Sequence, residues 1–303
     1  MTRYIDAHTH AFPAPTMGLD WQATVGVADP KRTGELPELQ GIMSDAGIEQ
    51  AVILLFPRSG EHYERARAQD PSRSPEEIRS EIRDEILALN RWGCEAASRD
   101  PRLVPFIGIN VRFMSESEVT AEIDEMAERG ARGVKIIPPA MQLYANDSLL
   151  QPMFQRCWEL GLPVLSQSGD GGGPPPHPGA DPFGRPVYHR HVLRNFPGLT
   201  LILAHMGHGY LADVVELADS FPNLYTDTSL QLSGIGREGR PTALEFVSAV
   251  RQIGVDRVLF GTNYPMVSPR GYVKTMEELP FTPAERDLVA SGNFLRAVPA
   301  RQR

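Results

Sequence analysis

Eight short apolar runs, separated by longer amphipathic stretches, constrain the fold of this chain more than any other feature of its sequence. The runs lie near residues 3–8, 49–55, 103–109, 132–137, 162–166, 199–204, 223–226 and 256–261. Most are rich in Val, Ile and Leu and lack polar alternation, which is typical of parallel strands buried on both faces. We therefore predict eight such strands with helices between them.

The stretches between the runs carry signals of helix starts and ends. Residues 75–98 form the clearest helix, with isoleucines and leucines recurring at helical spacing. Three segments place a hydroxyl three residues before a glutamate, as in a capping box: Ser74–Glu77, Ser115–Glu118 and Thr282–Glu285. Three glycines fall between a helix and the next strand, where a left-handed C-cap is common: Gly130, Gly161 and Gly254.

The eightfold alternation of strand and helix predicts an α/β fold, a parallel sheet closed into a (β/α)8 TIM barrel. The 303 residues suit one such barrel, which takes about 250 residues or more with insertions. An open doubly wound sheet is the alternative, but no glycine-rich phosphate loop follows the first run. We predict a single domain over residues 1–303, with long loops near 11–37 and 170–188 on the active-site face.

Composition and charge narrow the class of partner. The net charge of −8 disfavours nucleic acid, because phosphate binding needs a concentrated basic face. No apolar run approaches the roughly 20 residues of a membrane span, and no leader precedes the first strand. Cys94 and Cys157 fit no metal or redox spacing, so we predict buried, reduced thiols in a cytoplasmic protein.

Polar side chains follow most of the predicted strands, on the face that carries the active site in barrels of this kind. His8 and His10 end the first strand. Alternate residues of a strand face the same side, so both imidazoles point to the barrel mouth, about 7 Å apart along the strand, and are placed to share a metal ion. Two unrelated loop histidines are the alternative. The other polar positions are Arg58, Asn110, Arg112, Gln167, Asp170, His205, His208, Asp227, Asn263 and Tyr264.

Seven segments, in order, resemble motifs of the amidohydrolase-related family and its aminocarboxymuconate-semialdehyde decarboxylase group. They are residues 5–10 (IDAHTH), 133–136 (GVKI), 162–165 (LPVL), 203–207 (LAHMG), 225–229 (YTDTS), 259–265 (LFGTNYP) and 292–296 (GNFLR). The resemblance covers nearly the whole chain. It implies a barrel enzyme that hydrolyses or decarboxylates small carboxylated substrates, usually with one divalent metal ion, and often a homodimer or larger homo-oligomer.

The resemblance assigns roles residue by residue. His8 and His10 match the metal-binding pair of the first strand, and His205 matches the histidine that handles the reacting water or substrate. Two positions depart from the family pattern: Gln167 stands where a metal-binding histidine is usual, and Asn263 where an aspartate binds metal and acts as the base. Because amide oxygens are neutral and a carboxamide does not titrate, metal affinity should fall and the usual base is lost.

Three explanations of these departures stay open. In the first, a divalent ion, zinc foremost, still binds through His8 and His10, and Asp170 or Asp227 serves as the base; a turn and a barrel hydrogen bond are their structural alternatives. In the second, the site works without metal, and its histidines perform acid–base chemistry and stabilise an oxyanion. In the third, Asn263 is an engineered substitution made to trap a complex, which leaves Gln167 unexplained.

Other polar and aromatic residues complete the predicted site. Arg58 is placed to bind a substrate carboxylate, with an exposed loop position as the alternative. Trp21 and Tyr264 are expected to line the pocket, with packing as the alternative. Lys135 lies within the fourth strand, and we expect it to pair with Asp6 inside the barrel, since a buried charge needs a partner; approach to the active site is the alternative.

These patterns predict an enzyme that hydrolyses or decarboxylates a small, anionic, cyclic or unsaturated substrate. His205, Asn263 and Asp227 are the predicted catalytic residues, and His8 and His10 hold a metal ion or the substrate. The predicted substrate-binding residues are Arg58, Gln167, Asp170, Tyr264 and Trp21. The alternatives are a metal-independent lactonase, isomerase or other lyase, and a non-catalytic binding protein on a degenerate barrel.

Overall fold

Eight parallel strands form one sheet in the order β1 to β8 in the computed structural model, which describes residues 2–171 and 175–300. The strands are β1 (Tyr4–Thr9), β2 (Ile48–Leu55), β3 (Leu103–Gly108), β4 (Gly133–Ile136), β5 (Val164–Ser166), β6 (Leu201–Leu203), β7 (Leu224–Asp227) and β8 (Val258–Leu259). Backbone hydrogen bonds from Ala7 to Phe260 and from Asn263 to His8, each 2.8 Å, join the last strand to the first. The predicted (β/α)8 barrel is confirmed.

Helices connect successive strands and cover the outside of the barrel. They are α1 (Pro15–Thr24), α2 (Leu36–Ala46), α3 (Ser59–Gln69), α4 (Pro75–Arg99), α5 (Glu116–Glu128), α6 (Pro138–Met141), α7 (Gln151–Leu160), α8 (Arg190–Asn195), α9 (Leu211–Ser220), α10 (Ala243–Ile253), α11 (Pro269–Glu278), α12 (Pro283–Asp287) and α13 (Asn293–Ala297). None of the described helices combines the length and apolar character needed to cross a membrane.

Local signals place most helix ends correctly. Ser115 and Thr282 form the predicted reciprocal capping boxes, whereas Ser74 accepts only from the backbone of Glu76, so the box predicted with Glu77 is wrong. The predicted loop at 11–37 contains α1, because Pro15 at the first helical turn starts a helix there. Gly172, Gly173 and Pro174 of the predicted 170–188 loop lie outside the described residues.

The core has two parts, one inside the barrel and a larger one between the sheet and its helices. Val52, Leu54 and Phe106 fill the inside, while neighbours in the same strands face the helices. Cys94 and Cys157 are buried and free, as predicted. The packed interior closes the lower barrel and leaves the strand ends to build a site.

Candidate active site

Asp227, at the end of β7, organises the barrel mouth. Its Oδ2 lies 2.8 Å from His8 Nδ1, while its Oδ1 accepts from the backbone N–H groups of His205 and Ser229, each at 3.0 Å, and from the Ser229 hydroxyl. Asp227, His8 and Ser229 are buried. The imidazole of His8 and these donors hold the pKa of Asp227 well below its usual range, against the opposing effect of burial. Asp227 is therefore an ionised, fully bonded carboxylate.

His205 lies directly after β6 in a left-handed backbone conformation, with φ of 62°. Its Nδ1 is 2.6 Å from Ser229 Oγ and 3.3 Å from the Ser229 carbonyl oxygen, and its Nε2 is 3.0 Å from Gln167 Oε1. Burial lowers the pKa of His205 well below its usual value, and nearby cationic groups add to this effect. The ring is therefore neutral at neutral pH.

His10 lies beside His8 and Trp21 at the edge of the same cluster. The ring centroids of His10 and His8 are 5.4 Å apart, and those of His10 and Trp21 are 4.3 Å apart. Burial lowers the pKa of His10 well below its usual value, and His10 Nδ1 has no hydrogen-bond partner among the described residues. A neutral nitrogen without a partner is thus available to a ligand.

Lys135 is the buried cation of this region, and the predicted pair with Asp6 is wrong. Asp6 instead accepts from Thr262 Oγ1 at 2.7 Å and from the backbone N–H groups of Thr262 and His8. Lys135 Nζ has no hydrogen-bond partner among the described residues, and burial lowers the pKa of Lys135 to about 7, with Asp227 opposing the change. Asp6 lies between Ile5 and Ala7, which fill the inside of the barrel, so it faces the opposite side of β1 and Lys135 has no counter-ion in direct contact among the described residues.

A cavity of about 180 Å³ opens above these groups. Its lining residues are His10, Trp21, Val25, Arg58, Ile137, Gln167, Gly171, His205, Leu230, Asn263 and Met266. Five of the predicted catalytic or substrate-binding residues are thus brought together here: Trp21, Arg58, Gln167, His205 and Asn263. Apolar walls with a few polar groups are typical of small-molecule sites.

Arg58 is buried at the cavity wall, only 6% exposed, so the alternative of an exposed loop position is wrong. One terminal nitrogen, Nη2, pairs with Glu61, while Nε has no partner among the described residues. Asn263 has φ of 73°, and its amide nitrogen contacts Met266 Sδ at 3.1 Å. Both side chains keep polar capacity for a ligand.

Two of the predicted substrate-binding residues lie outside the cavity lining. Asp170 is exposed and bonds His208 Nδ1 at 2.6 Å. Tyr264 is fully buried, and its hydroxyl donates to Glu38 at 3.0 Å, which corresponds to the packing alternative. The structure therefore places neither beside the acid–base groups.

Comparison with known proteins identifies the family to which this chain belongs. A family model described as amidohydrolase matches residues 5–299. The chain belongs to the amidohydrolase family. No curated protein sequence matches this amidohydrolase-family enzyme.

Solved structures similar to this amidohydrolase-family enzyme include three over nearly the full length. An uncharacterized TIM-barrel protein from Bordetella bronchiseptica is 23% identical, with a TM-score of 0.71 and 97% of this chain and 98% of that one covered. The 5-carboxyvanillate decarboxylase of Sphingomonas paucimobilis is 16% identical (TM-score 0.71; 98% and 99% covered). A dihydroxybenzoic acid decarboxylase from Polaromonas, solved with manganese and 2-nitroresorcinol, is 16% identical (TM-score 0.71; 98% and 97% covered). At these identities, the likeness establishes the shared fold.

The donor atoms of the site determine whether this protein can bind a divalent ion. His8, His205 and Asp227 each bring a ligand atom within 4.8 Å of the others. Both oxygens of Asp227 are already bonded, however, so we interpret Asp227 as the carboxylate that orients His8 rather than as a ligand. His8 Nε2 and His10 Nδ1 then remain as neutral nitrogen donors. Two neutral nitrogens are fewer protein ligands than a zinc site has, so a divalent ion here would need further ligands.

Ser229 is the residue that sequence reasoning missed. It contacts Asp227, His205 and His8 through one hydroxyl, although it belongs to the predicted motifs only as the last residue of segment 225–229, with no role assigned to it. Its spacing from Asp227 was a usable signal, because a serine two residues beyond a buried strand-end carboxylate is placed to bond back to it.

Proposed function

We propose that this amidohydrolase-family enzyme decarboxylates a small, ring-sized carboxylic acid, with His205 as the group that transfers the proton. The observation that carries the proposal is the cavity that holds Arg58 and His205 together. Two proteins with the same fold support it, because one is a 5-carboxyvanillate decarboxylase and the other a dihydroxybenzoic acid decarboxylase.

The size and lining of the cavity support a single substituted ring as substrate. A cavity of about 150 Å³ holds a benzene molecule in an engineered protein, and this one is about 180 Å³. Trp21, Ile137, Leu230 and Met266 supply apolar walls for the faces of such a ring. The substrate is thus a planar, unsaturated acid with few substituents.

Arg58 would bind a carboxylate of that acid. A guanidinium group binds carboxylate oxygens through parallel N–H bonds, and Arg58 Nε has no partner among the described residues. Burial strengthens such a charge-assisted bond by excluding water. The arginine therefore fixes the orientation of the substrate.

The proposed reaction moves one proton within the substrate through His205. Nε2 takes the proton of a ring hydroxyl and returns it to the ring carbon that bears the carboxylate. The bond from that carbon to the carboxylate then breaks, its electron pair restores the ring, and CO₂ leaves with a phenoxide behind. The phenoxide takes its proton from water, so atoms and charges balance.

A divalent ion belongs to the proposal as a second element. His8 and His10 would hold it, and Asn263 would offer an amide oxygen. When bound, such an ion would neutralise negative charge on the substrate oxygens. The residues of the chain would still orient the acid and move the proton.

Hydrolysis of a lactone or amide is the second candidate, favoured by the neutral state of His205 and His10, either of which accepts a proton from water. Against it, Asn263 does not titrate, and Asp227 is fully bonded. Decarboxylation needs no activated water, so the lack of a free carboxylate base impairs it less than it impairs hydrolysis.

A substrate panel separates these candidates. Hydroxybenzoic acids, related unsaturated acids and lactones would be incubated with wild-type protein, with and without Mn²⁺ or Zn²⁺, while CO₂ release and ester opening are followed. We expect CO₂ release that falls at least about 100-fold in His205→Ala, the scale of general acid–base catalysis. His208→Ala is the matched control, because His208 lies outside the cavity lining.

Near-normal CO₂ release by His205→Ala would refute the role of His205. Turnover of lactones alone would move the assignment to hydrolysis. Binding of acids with no turnover under any condition would favour the non-catalytic alternative.

A further inference from the structure

The two ring nitrogens of His205 have chemically different surroundings. Nδ1 lies 3.3 Å from the carbonyl oxygen of Ser229 and 2.6 Å from its hydroxyl oxygen. A carbonyl oxygen only accepts, so the contact requires a proton on Nδ1. A neutral imidazole carries one proton, so with that proton on Nδ1 the Nε2 atom has a free lone pair.

The Ser229 hydroxyl agrees with this assignment. It has a single proton, and its close contact with Asp227 Oδ1 directs that proton to an ionised carboxylate. The Ser229 oxygen is then left to accept the proton of His205 Nδ1. Asp227, Ser229 and His205 thus form a buried chain of hydrogen bonds with one consistent direction.

Gln167 faces the other nitrogen, with its Oε1 3.0 Å from Nε2, the placement that suits Nε2 once it has taken a proton. An amide carries an acceptor oxygen and a donor NH₂ group that exchange places by a half-turn. The NH₂ group donates a hydrogen bond to Nε2 while Nε2 has a lone pair. The oxygen accepts a hydrogen bond from Nε2 once Nε2 has taken a proton. A carboxylate in this position would support only the second state.

We propose that Ser229 and Gln167 are positioning residues for His205. Ser229 fixes the proton on Nδ1 and so presents the Nε2 lone pair to the cavity, and Gln167 supports Nε2 before and after proton transfer by turning its amide. This inference rests on the proposed function for its role in the reaction, but the placement of the proton stands apart from any substrate. It gives a chemical reason for glutamine at position 167.

Nitrogen NMR of the histidine rings tests the placement without a substrate. We would record spectra of ¹⁵N-histidine-labelled wild-type protein and assign His205 by the loss of its signals in His205→Asn. We expect Nδ1 with the shift of a protonated nitrogen and Nε2 with that of a lone pair. In Ser229→Ala, the pattern should move toward a mixture of the two tautomers.

Kinetics then test the role in the reaction. Ser229→Ala and Gln167→Met should lower kcat about 10- to 100-fold with KM changed less than about threefold, because the proton transfer suffers more than binding. Thr228→Val is the matched control, since it removes the adjacent buried hydroxyl, which bonds Gly261 instead. If Ser229→Ala does not fold, Ser229→Cys replaces it.

A proton on Nε2 in the wild-type spectrum would overturn the inference, as would an unchanged tautomer in Ser229→Ala. If the spectra agree but no substrate turns over, the proposed function fails while the placement stands. Equal losses of kcat in Ser229→Ala and Thr228→Val would reduce Ser229 to a structural role.

Discussion

Replacement of Lys135 by methionine should stabilise the protein. Lys135 is fully buried, its Nζ has no hydrogen-bond partner among the described residues, and burial lowers its pKa from 10.5 to about 7. Methionine has a similar shape and no charge to desolvate, so Lys135→Met removes this cost. The folded chain gives up the ammonium proton far more readily than the unfolded chain does.

The magnitude follows from the two pKa values. Each pKa unit corresponds to about 1.4 kcal/mol, so the interval from 10.5 to about 7 amounts to about 5 kcal/mol. At pH 7, about half of the folded molecules still carry the proton, which leaves about 4 kcal/mol. Relaxation around the lysine reduces the gain, and we expect Lys135→Met to raise the free energy of unfolding by about 2–4 kcal/mol.

The pH dependence gives a second signature. Between about pH 7 and 10.5, the unfolded state holds a proton at Lys135 that the folded state has lost, so the stability of the wild type rises with pH in that window. The advantage of Lys135→Met should therefore shrink steadily from pH 7 to 10. Urea unfolding at four pH values, followed by circular dichroism, measures both the gain and its slope.

Lys274→Met is the control, because Lys274 is exposed and makes only a 3.9 Å contact with Glu278. Its stability should change by less than about 0.5 kcal/mol at every pH. A Lys135→Met variant less stable than the wild type at pH 7 would refute the reasoning, since it would mean that the ammonium is well paired in the folded protein.

Three further outcomes follow from the site. Arg58→Met should raise KM at least about tenfold with a smaller change in kcat, since it removes a bond to the substrate carboxylate; steady-state kinetics measures this, and an unchanged KM contradicts it. Burial holds the pKa of His205 well below its usual value, so the ring stays unprotonated as the pH falls. We therefore expect kcat/KM to stay level from pH 8 to 6. A loss of kcat/KM centred near pH 6.5 would show that His205 titrates as an ordinary histidine. Gln167→His combined with Asn263→Asp should tighten Zn²⁺ binding at least about tenfold by titration calorimetry; equal affinity would mean that these side chains do not converge on the ion.

The barrel was predictable because its strands are buried on both faces and therefore appear as uninterrupted apolar runs. The strand ends were less predictable. The eighth run was predicted over 256–261, yet only Val258 and Leu259 form β8, because residues 255–257 form a 3-10 turn. Beyond β8, Phe260 still bonds β1 through its carbonyl oxygen.

Side-chain partners inside the mouth depended on backbone detail that periodicity does not contain. Alternation from His8 predicts that Asp6 points inward, but the register of β1 shifts between Asp6 and Thr9. Ile5 and Ala7 fill the inside of the barrel, so Asp6 faces the opposite side of β1, where Thr262 donates to it. Likewise, Ser229 meets His205 because both lie where the chain turns after neighbouring strands, β7 and β6, of the same sheet. His205 makes that turn with a positive φ, which no residue pattern in this chain announces.

The amides of Gln167 and Asn263 are consistent with the charges around them. The mouth already holds Lys135 and one ionised carboxylate, Asp227, whose oxygens are occupied by His8, His205 and Ser229. A second carboxylate at position 263 would oppose the entry of an anionic acid, whereas an amide offers hydrogen bonds without repulsion. Neutral residues at these positions thus lower the affinity for a metal ion and raise the affinity for an anion. This agrees with a substrate held by Arg58.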